Sequence, residues 1–310
     1  MSQPTGTGKY EQMLTKCKHL TPIPTAVAHP CEESALTGAI EAANLGLIVP
    51  ILVGPRDKIE ATARSAGVDI SGFEIVDAPH SAASAVKAVE LLREAKAELL
   101  MKGSLHTDEL MAAVVSREGG MRTGRRISHV FVMDVPTYHK VLFVTDGAIN
   151  IAPTLEDKVD ICQNAIDLIV ALGIKKPKVA ILAAVETVNS KMQATIDAAC
   201  LCKMAERGQI KNALLDGPLA FDNAISKQAA ETKGIRSSVA GDPDILLAPD
   251  LEAANILAKQ LSFLANADSA GLVLGARVPI ILTSRADSVR SRIASCGVAM
   301  LAAHARRKQM

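Results

Sequence analysis

Short, continuous apolar runs alternate with longer amphipathic stretches from one end of the chain to the other. The short runs predict strands at 25–28, 47–53, 73–76, 97–101, 129–133, 140–145, 178–183, 213–215, 245–247, 271–273 and 279–282. Between them, apolar positions recur at helical spacing over 32–44, 56–66, 82–94, 107–116, 155–172, 188–207, 221–233, 251–265 and 287–304. Strands that alternate with helices in this way form right-handed β-α-β units around a mostly parallel sheet. Thr107 stands just before Asp108 and Glu109, which places negative charge in a first helical turn. Gly173 and Gly208 each follow a helical run and read as C-terminal stops. No repeat and no Pro/Gly/Ser-rich linker interrupts the pattern. Any passage between domains must therefore use ordinary loops, with the best candidates at 117–126 and 271–277.

Composition narrows this picture. A chain of 310 residues suits two domains or one large one, since single cores stop growing near ~250–300 residues. It is 49% hydrophobic but only 2% aromatic, with no Trp. Aliphatic side chains of this kind fill buried parallel strands and the helices that cover them. A ligand site must then be built from backbone groups, small polar side chains and charges. The net charge of +1 argues against a nucleic-acid binder, which would carry a basic stripe and stacking aromatics. Six cysteines at 17, 31, 162, 200, 202 and 296 form no C-x-x-C pair and read as reduced thiols of a cytoplasmic protein. The polar N-terminus has no signal-peptide pattern. No apolar run reaches the ~18–20 residues of a membrane span.

Ligands of open α/β sheets bind beyond the carboxyl ends of the strands, so the residues after each strand are the candidates. After 97–101 come Lys102, Gly103, Ser104, Leu105, His106 and Thr107: an ammonium, hydroxyls, an imidazole and the free N–H groups of a helix start. Phosphate suits such a place, although a capped loop with a solvated lysine has the same sequence. Asp146, Asp216 and Asp250 each follow a strand, and there an aspartate is either a turn former or a site residue. After 279–282 come Thr283, Ser284, Arg285, Ala286, Asp287 and Ser288, the densest polar cluster behind any strand. An arginine does not serve a helix N-terminus, whereas a guanidinium among hydroxyls is suited to phosphate. Arg117, Arg122, Arg125 and Arg126 make a basic run, either a solvated face or a hold for a polyanionic ligand. The string Gly6-Thr7-Gly8-Lys9 lacks the strand and spacing of a phosphate loop, and neither G-x-S-x-G nor G-x-G-x-x-G follows a strand.

Five strings in fixed order carry a family resemblance. They are Met101-Lys102-Gly103-Ser104-Leu105-His106-Thr107, Arg126-Ile127-Ser128-His129-Val130-Phe131-Val132-Met133, and Thr145-Asp146-Gly147-Ala148-Ile149-Asn150 with Pro153. The other two are Asp216-Gly217-Pro218-Leu219-Ala220-Phe221-Asp222 and Leu282-Thr283-Ser284-Arg285-Ala286-Asp287-Ser288. From about Tyr10 to about Ala303 the sequence resembles the phosphate acetyltransferase and phosphate butyryltransferase family, the butyryl-type branch in particular. It also resembles the phosphotransacetylase domain that some bacteria fuse to an enoyl-CoA hydratase.

The resemblance implies two three-layer α/β domains with mostly parallel sheets, of the isocitrate/isopropylmalate dehydrogenase type, with the active site in the cleft. The expected domains are 1–127 with 275–310, and 128–274. The implied reaction is reversible: acyl-CoA and phosphate give acyl phosphate and CoA. No metal or redox cofactor is implied, and the expected assembly is a homodimer without a nucleic-acid or membrane partner. Ser284 and Arg285 match the family's catalytic pair, Arg285 binding the phosphoryl group and Ser284 donating to the charge that develops at the acyl carbonyl. The family's acetyl branch carries an aspartate seven residues after that serine; here the position is Ser291, which leaves Asp287 or Asp146 as base. Lys102, Gly103, Ser104, His106, Thr107, Arg122, Arg125, Arg126, Asp146, Asn150, Asp216 and Ser288 are the candidates to hold phosphate and CoA. Two other readings remain open. One is a CoA-binding homologue without activity. The other is a metal- and NAD-dependent decarboxylating dehydrogenase of the same architecture, which would need a D-x-x-x-D metal motif that is missing around Asp242–Asp250.

Overall fold

The structure is a computed structural model that describes residues 8–117 and 120–308. Gly6 and Thr7 of the discounted string, and the outermost residues of the expected first domain, lie outside the described residues. The chain divides into two compact units, one of 10–125 and 269–310, the other of 126–268 with the residues before Tyr10.

The first unit follows helix α1 (Lys9–Cys17) with β1 (Ile23–Ala28), α2 (Glu33–Asn44), β2 (Ile48–Gly54), α3 (Arg56–Ala66), β3 (Glu74–Asp77) and α4 (Ser81–Arg93). It continues with β4 (Leu99–Lys102) and α5 (Thr107–Val115). Its strand order is β3-β2-β1-β4-β11-β10, where β10 (Asp268–Leu274) and β11 (Ile280–Ile281) belong to the returning C-terminal segment. All neighbours pair in parallel except β10 with β11. Helix α11 (Val289–Arg307) closes the unit against α2. β1 and β4 are apolar at nearly every position because helices cover both faces, and their side chains are essentially inaccessible.

The second unit holds β5 (Ser128–Asp134), β6 (Leu142–Thr145), α6 (Leu155–Ala171), β7 (Lys178–Leu182), α7 (Gln193–Glu206) and β8 (Leu214–Leu219). After these come α8 (Phe221–Ile225), α9 (Lys227–Thr232), β9 (Ile245–Leu247) and α10 (Leu251–Leu264). The order is β5-β6-β9-β7-β8, antiparallel only between β5 and β6. One core cluster runs from Met133 and Val144 through Leu246 to Ala254 and Ala258.

Each predicted strand is present, and the departures have local causes. The helix expected at 221–233 is two, because the Ser226 hydroxyl accepts the Ala229 amide and starts a new helix. The helix expected from 188 begins at Gln193, since Asn189 and Thr195 tie the preceding residues into a turn. The last helix begins at Val289 rather than 287, because Ser288 is its cap. The first helix, α1, is not among the predicted elements. Its short polar stretch keeps only Tyr10 and Cys17 buried, a period too brief to stand out. No helix among the described residues is long and apolar enough to cross a membrane.

Candidate functional site

Strand order points to a candidate site in the first unit. From β1 the chain moves outward to β2 and β3, then returns to place β4 on the other side of β1. Such a reversal leaves a crevice at the carboxyl ends of the two central strands. Register aligns Ala28 with Lys102 and Met101 with Ile281, so the loops after β1, β4 and β11 leave the sheet side by side.

The loop after β4 is held from within. Gly103 donates its amide to the Ala28 carbonyl at 2.9 Å, and Ser104 donates both its amide and its hydroxyl to the His29 carbonyl. A Cβ on Gly103 would lie 2.4 Å from the Ala28 oxygen, so only glycine lets the two loops pass so closely. The residue types read from the sequence as phosphate donors are thus partly spent on joining the two loops. The helix cap also moves by one residue: His106, not Thr107, is the N-cap of α5, and its amide donates to the Glu109 carboxylate at 2.9 Å. The His106 ring is thereby left exposed at the crevice.

The loop after β11 presents Ser284 and Arg285, both exposed. Arg285 Nη2 lies 3.3 Å from His106 Nε2. Asp287 accepts the Ser284 amide at 2.6 Å and shapes the turn. Ser288, expected to touch substrate, caps α11: its hydroxyl accepts the Ser291 amide at 3.1 Å. Lys102 is buried at the end of β4. Burial holds its ammonium below the ordinary lysine range, and the positive charges of Arg292 and Arg285 push the same way, against Glu32 and Asp287. Three cationic or imidazole side chains converging with a serine hydroxyl make a place that an anion would relieve.

Three residues of this cluster are absent from the candidates read from the sequence. Arg292, only 1% exposed, sends Nη1 to Thr283 Oγ1 at 2.6 Å and Nη2 to both Ser34 Oγ and the Ser284 carbonyl at 3.2 Å. Ser34 donates in turn to Glu32 at 3.1 Å. Glu32 Oε2 and Arg292 Nε are buried without a hydrogen bond. A signal existed in the sequence: Arg292 shares a helical face with Ser295, Cys296 and Ala299, and all are buried. A charge on such a stripe is the informative exception.

Arg122 and Arg125 are exposed on the segment that runs alongside 275–277, where Arg122 bridges Ala276 and Arg277 donates its amide to the Met121 carbonyl. The remaining candidates lie in the second unit. There the Asp146 carboxylate accepts the amides of Ala148, Ile149 and Asn150 and the Asn150 side chain, at 2.6–3.1 Å. Asn150 also accepts from Arg126 Nε at 2.8 Å, and Arg126 stands 3.4 Å from Asp157. Asp216 lies inside β8, which continues past the predicted end at 215, and it accepts the Gly217 amide. Among the described residues no three His, Cys, Asp or Glu side chains form a group that could hold a metal ion.

Comparison with known proteins agrees with these features. Residues 80–302 match the family described as phosphate acetyl/butaryl transferase. A phosphate acetyltransferase of Rhizobium meliloti is 62% identical over 304 residues, 98% of this chain and 96% of that protein. A phosphate butyryltransferase of Clostridium acetobutylicum is 41% identical, covering 94% of this chain and 96% of its own. Among solved structures, a branched-chain phosphotransacylase from Enterococcus faecalis superposes with a TM-score of 0.80 at 29% identity, over 91% of this chain and 99% of that one.

Proposed function

The chain belongs to the phosphate acetyl/butyryl transferase family, and on that premise we propose that it moves an acetyl group reversibly between CoA and phosphate at the Ser284–Arg285 turn. The family's enzymes are acyltransferases that act on acyl-CoA and phosphate. Acetyl as the acyl group is supported by 62% identity to the Rhizobium meliloti acetyltransferase against 41% to the Clostridium acetobutylicum butyryltransferase.

The observation that carries the site assignment is Arg285, brought within 3.3 Å of His106 beside buried Lys102. In this reading Arg285, His106 and Lys102 hold the phosphoryl oxygens of acetyl phosphate. The CoA sulfur attacks the carbonyl carbon. A C–S bond forms, the carbonyl oxygen takes up negative charge, and the Ser284 hydroxyl donates to it. As the carbonyl re-forms, the bond between the acyl carbon and the bridging oxygen breaks, and phosphate leaves with that oxygen and its electron pair. The surrounding positive charge favours the thiolate, whose ordinary pKa near ~8.5 needs only modest lowering. Asp287 is the carboxylate nearest the pair and takes the thiol proton; Asp146 has both oxygens engaged by four donors. Most of the rate gain comes from holding two reactants in line.

Acyl transfer from oxygen to sulfur changes no oxidation state and so calls for no redox cofactor, and in this reading the cationic side chains, not a metal, meet the phosphoryl charge. It acts as a homodimer in the cytoplasm, a compartment that suits its six free thiols. Release of free CoA from acetyl-CoA and phosphate, followed with a thiol reagent, tests the reading. Arg285→Ala should lower kcat/KM by at least ~100-fold, the usual scale for losing a donor to developing charge. Near-wild-type kinetics in that variant would remove the site assignment. Tight CoA binding with no release by the wild-type protein would leave a CoA-binding homologue instead.

A further inference from the structure

We propose that Arg292 is a positioning residue for acyl transfer: its buried guanidinium ties Thr283 and Ser284 to the first turn of α2 and so sets where Ser284 and Arg285 stand. The inference rests on the site assigned above. Its own support is the geometry of the clamp. One guanidinium reaches three partners: Thr283 Oγ1 at 2.6 Å, Ser34 Oγ at 3.2 Å and the Ser284 carbonyl at 3.2 Å. Thr283 and Ser284 are the residues that leave β11, and Ser34 lies in the first turn of α2. The planar fork therefore joins the residues after β11 to the first turn of α2, a task a lysine's single nitrogen cannot perform.

Two further observations point to a cost accepted for this arrangement. A buried guanidinium is a poor device for stability, and an aliphatic side chain would pack the same helix face. Its stem also passes directly over α2 at Gly38, where a Cβ would lie 2.6 Å from Arg292 Cδ. Glycine inside a helix is itself unfavourable relative to alanine. Both choices favour the placement of this one side chain over the stability of α2 and α11. The turn they hold carries the exposed Ser284 and Arg285; the other bonds that shape it are local, from the Ser284 amide to the Asp287 carboxylate, from the Ala286 amide to the Ser284 hydroxyl and from the Asp287 amide to the Ser284 carbonyl.

Two variants test the clamp, with Arg285→Ala run beside them. Arg292→Lys keeps the charge and loses the fork. Gly38→Ala keeps every partner and displaces the stem. Each should lower kcat by roughly 10- to 100-fold, the scale of a reacting group shifted by about 1 Å, with KM for acetyl-CoA little changed. Thermal melting reports folding separately. If Arg292→Lys does not fold, Gly38→Ala decides. Wild-type kcat in a folded variant overturns the proposal. So does a kcat that falls only in proportion to the folded fraction, and so does failure of both variants to fold, because Arg292 then serves the fold alone. With Arg285→Ala inactive, those results remove only the clamp. An active Arg285→Ala removes the site assignment and the clamp with it.

Discussion

Lys102 shows how a single residue can be set against the stability of the fold that carries it. It ends a fully buried strand and faces the positive charges of Arg292 and Arg285. Its proton is held less tightly in the folded protein than in the unfolded chain, where a lysine titrates near ~10.4. The unfolded state therefore binds more protons between the lowered value and the ordinary one, and stability rises with pH across that window. Lys102→Met removes the penalty at nearly constant volume. The expected result is a higher Tm at pH 7, a weaker rise of Tm toward pH 10 than in wild type, and a fall in kcat/KM for CoA acetylation. A lower Tm at pH 7 would contradict the argument. Ser104 teaches the reverse lesson. Its residue type suits a phosphate ligand, yet its hydroxyl goes to the His29 carbonyl. A hydroxyl's partner depends on which loop lies opposite, and the local sequence does not contain that loop.

At the level of elements, the alternation of apolar and amphipathic runs was enough to mark each strand, because burial on both faces leaves long aliphatic runs. Boundaries were less legible where a side chain competes with the backbone. Ser226 and Ser288 begin helices where periodicity alone predicts continuity or an earlier start. The entry to β9 is a further case. Asp242 takes Lys140, Lys178 and His139, while Asp244 binds Lys140 and the Lys178 amide. These contacts brace the entry to β9 against the starts of β6 and β7. Partial burial pushes the Asp242 carboxyl up, but the hydrogen bonds and charges of Lys178, Lys140 and His139 hold it well below the usual carboxylate range. A depressed carboxylate contributes stability that is present above its unfolded value near ~3.9 and is lost as pH falls through the folded one. Asp242→Asn should therefore melt at a lower temperature than wild type at pH 7, and the gap should shrink below about pH 4. A gap that does not change between pH 7 and pH 3 would assign the loss to packing instead.

For the whole molecule, a near-neutral, nearly aromatic-free composition restricts how CoA can be held. With 2% aromatic residues there is little ring surface for adenine, and affinity must come mainly from charge on the nucleotide phosphates. Titration calorimetry should show the Kd for CoA rising steadily as salt goes from ~50 to ~200 mM, because exposed charges are screened over that range. A salt-independent Kd would point to apolar burial of the nucleotide. The exposed Arg122 and Arg125 are the first residues to substitute if the dependence is strong.

The sequence by itself determined the class of fold and the family, and singled out the Ser284–Arg285 turn as a candidate. Each rests on information local in the chain: periodicity, strand-end chemistry and short strings in order. Only the tertiary structure decided which donors remain for a ligand. Gly103 and Ser104 turn inward, His106 replaces Thr107 as the cap and faces the crevice, and Asp146 closes its own turn. It also brought Arg292, Ser34 and Glu32 together from the two ends of the first unit. The Arg292–Ser34 bond joins residues 258 positions apart, and it forms where parallel register sets the ends of β1, β4 and β11 side by side.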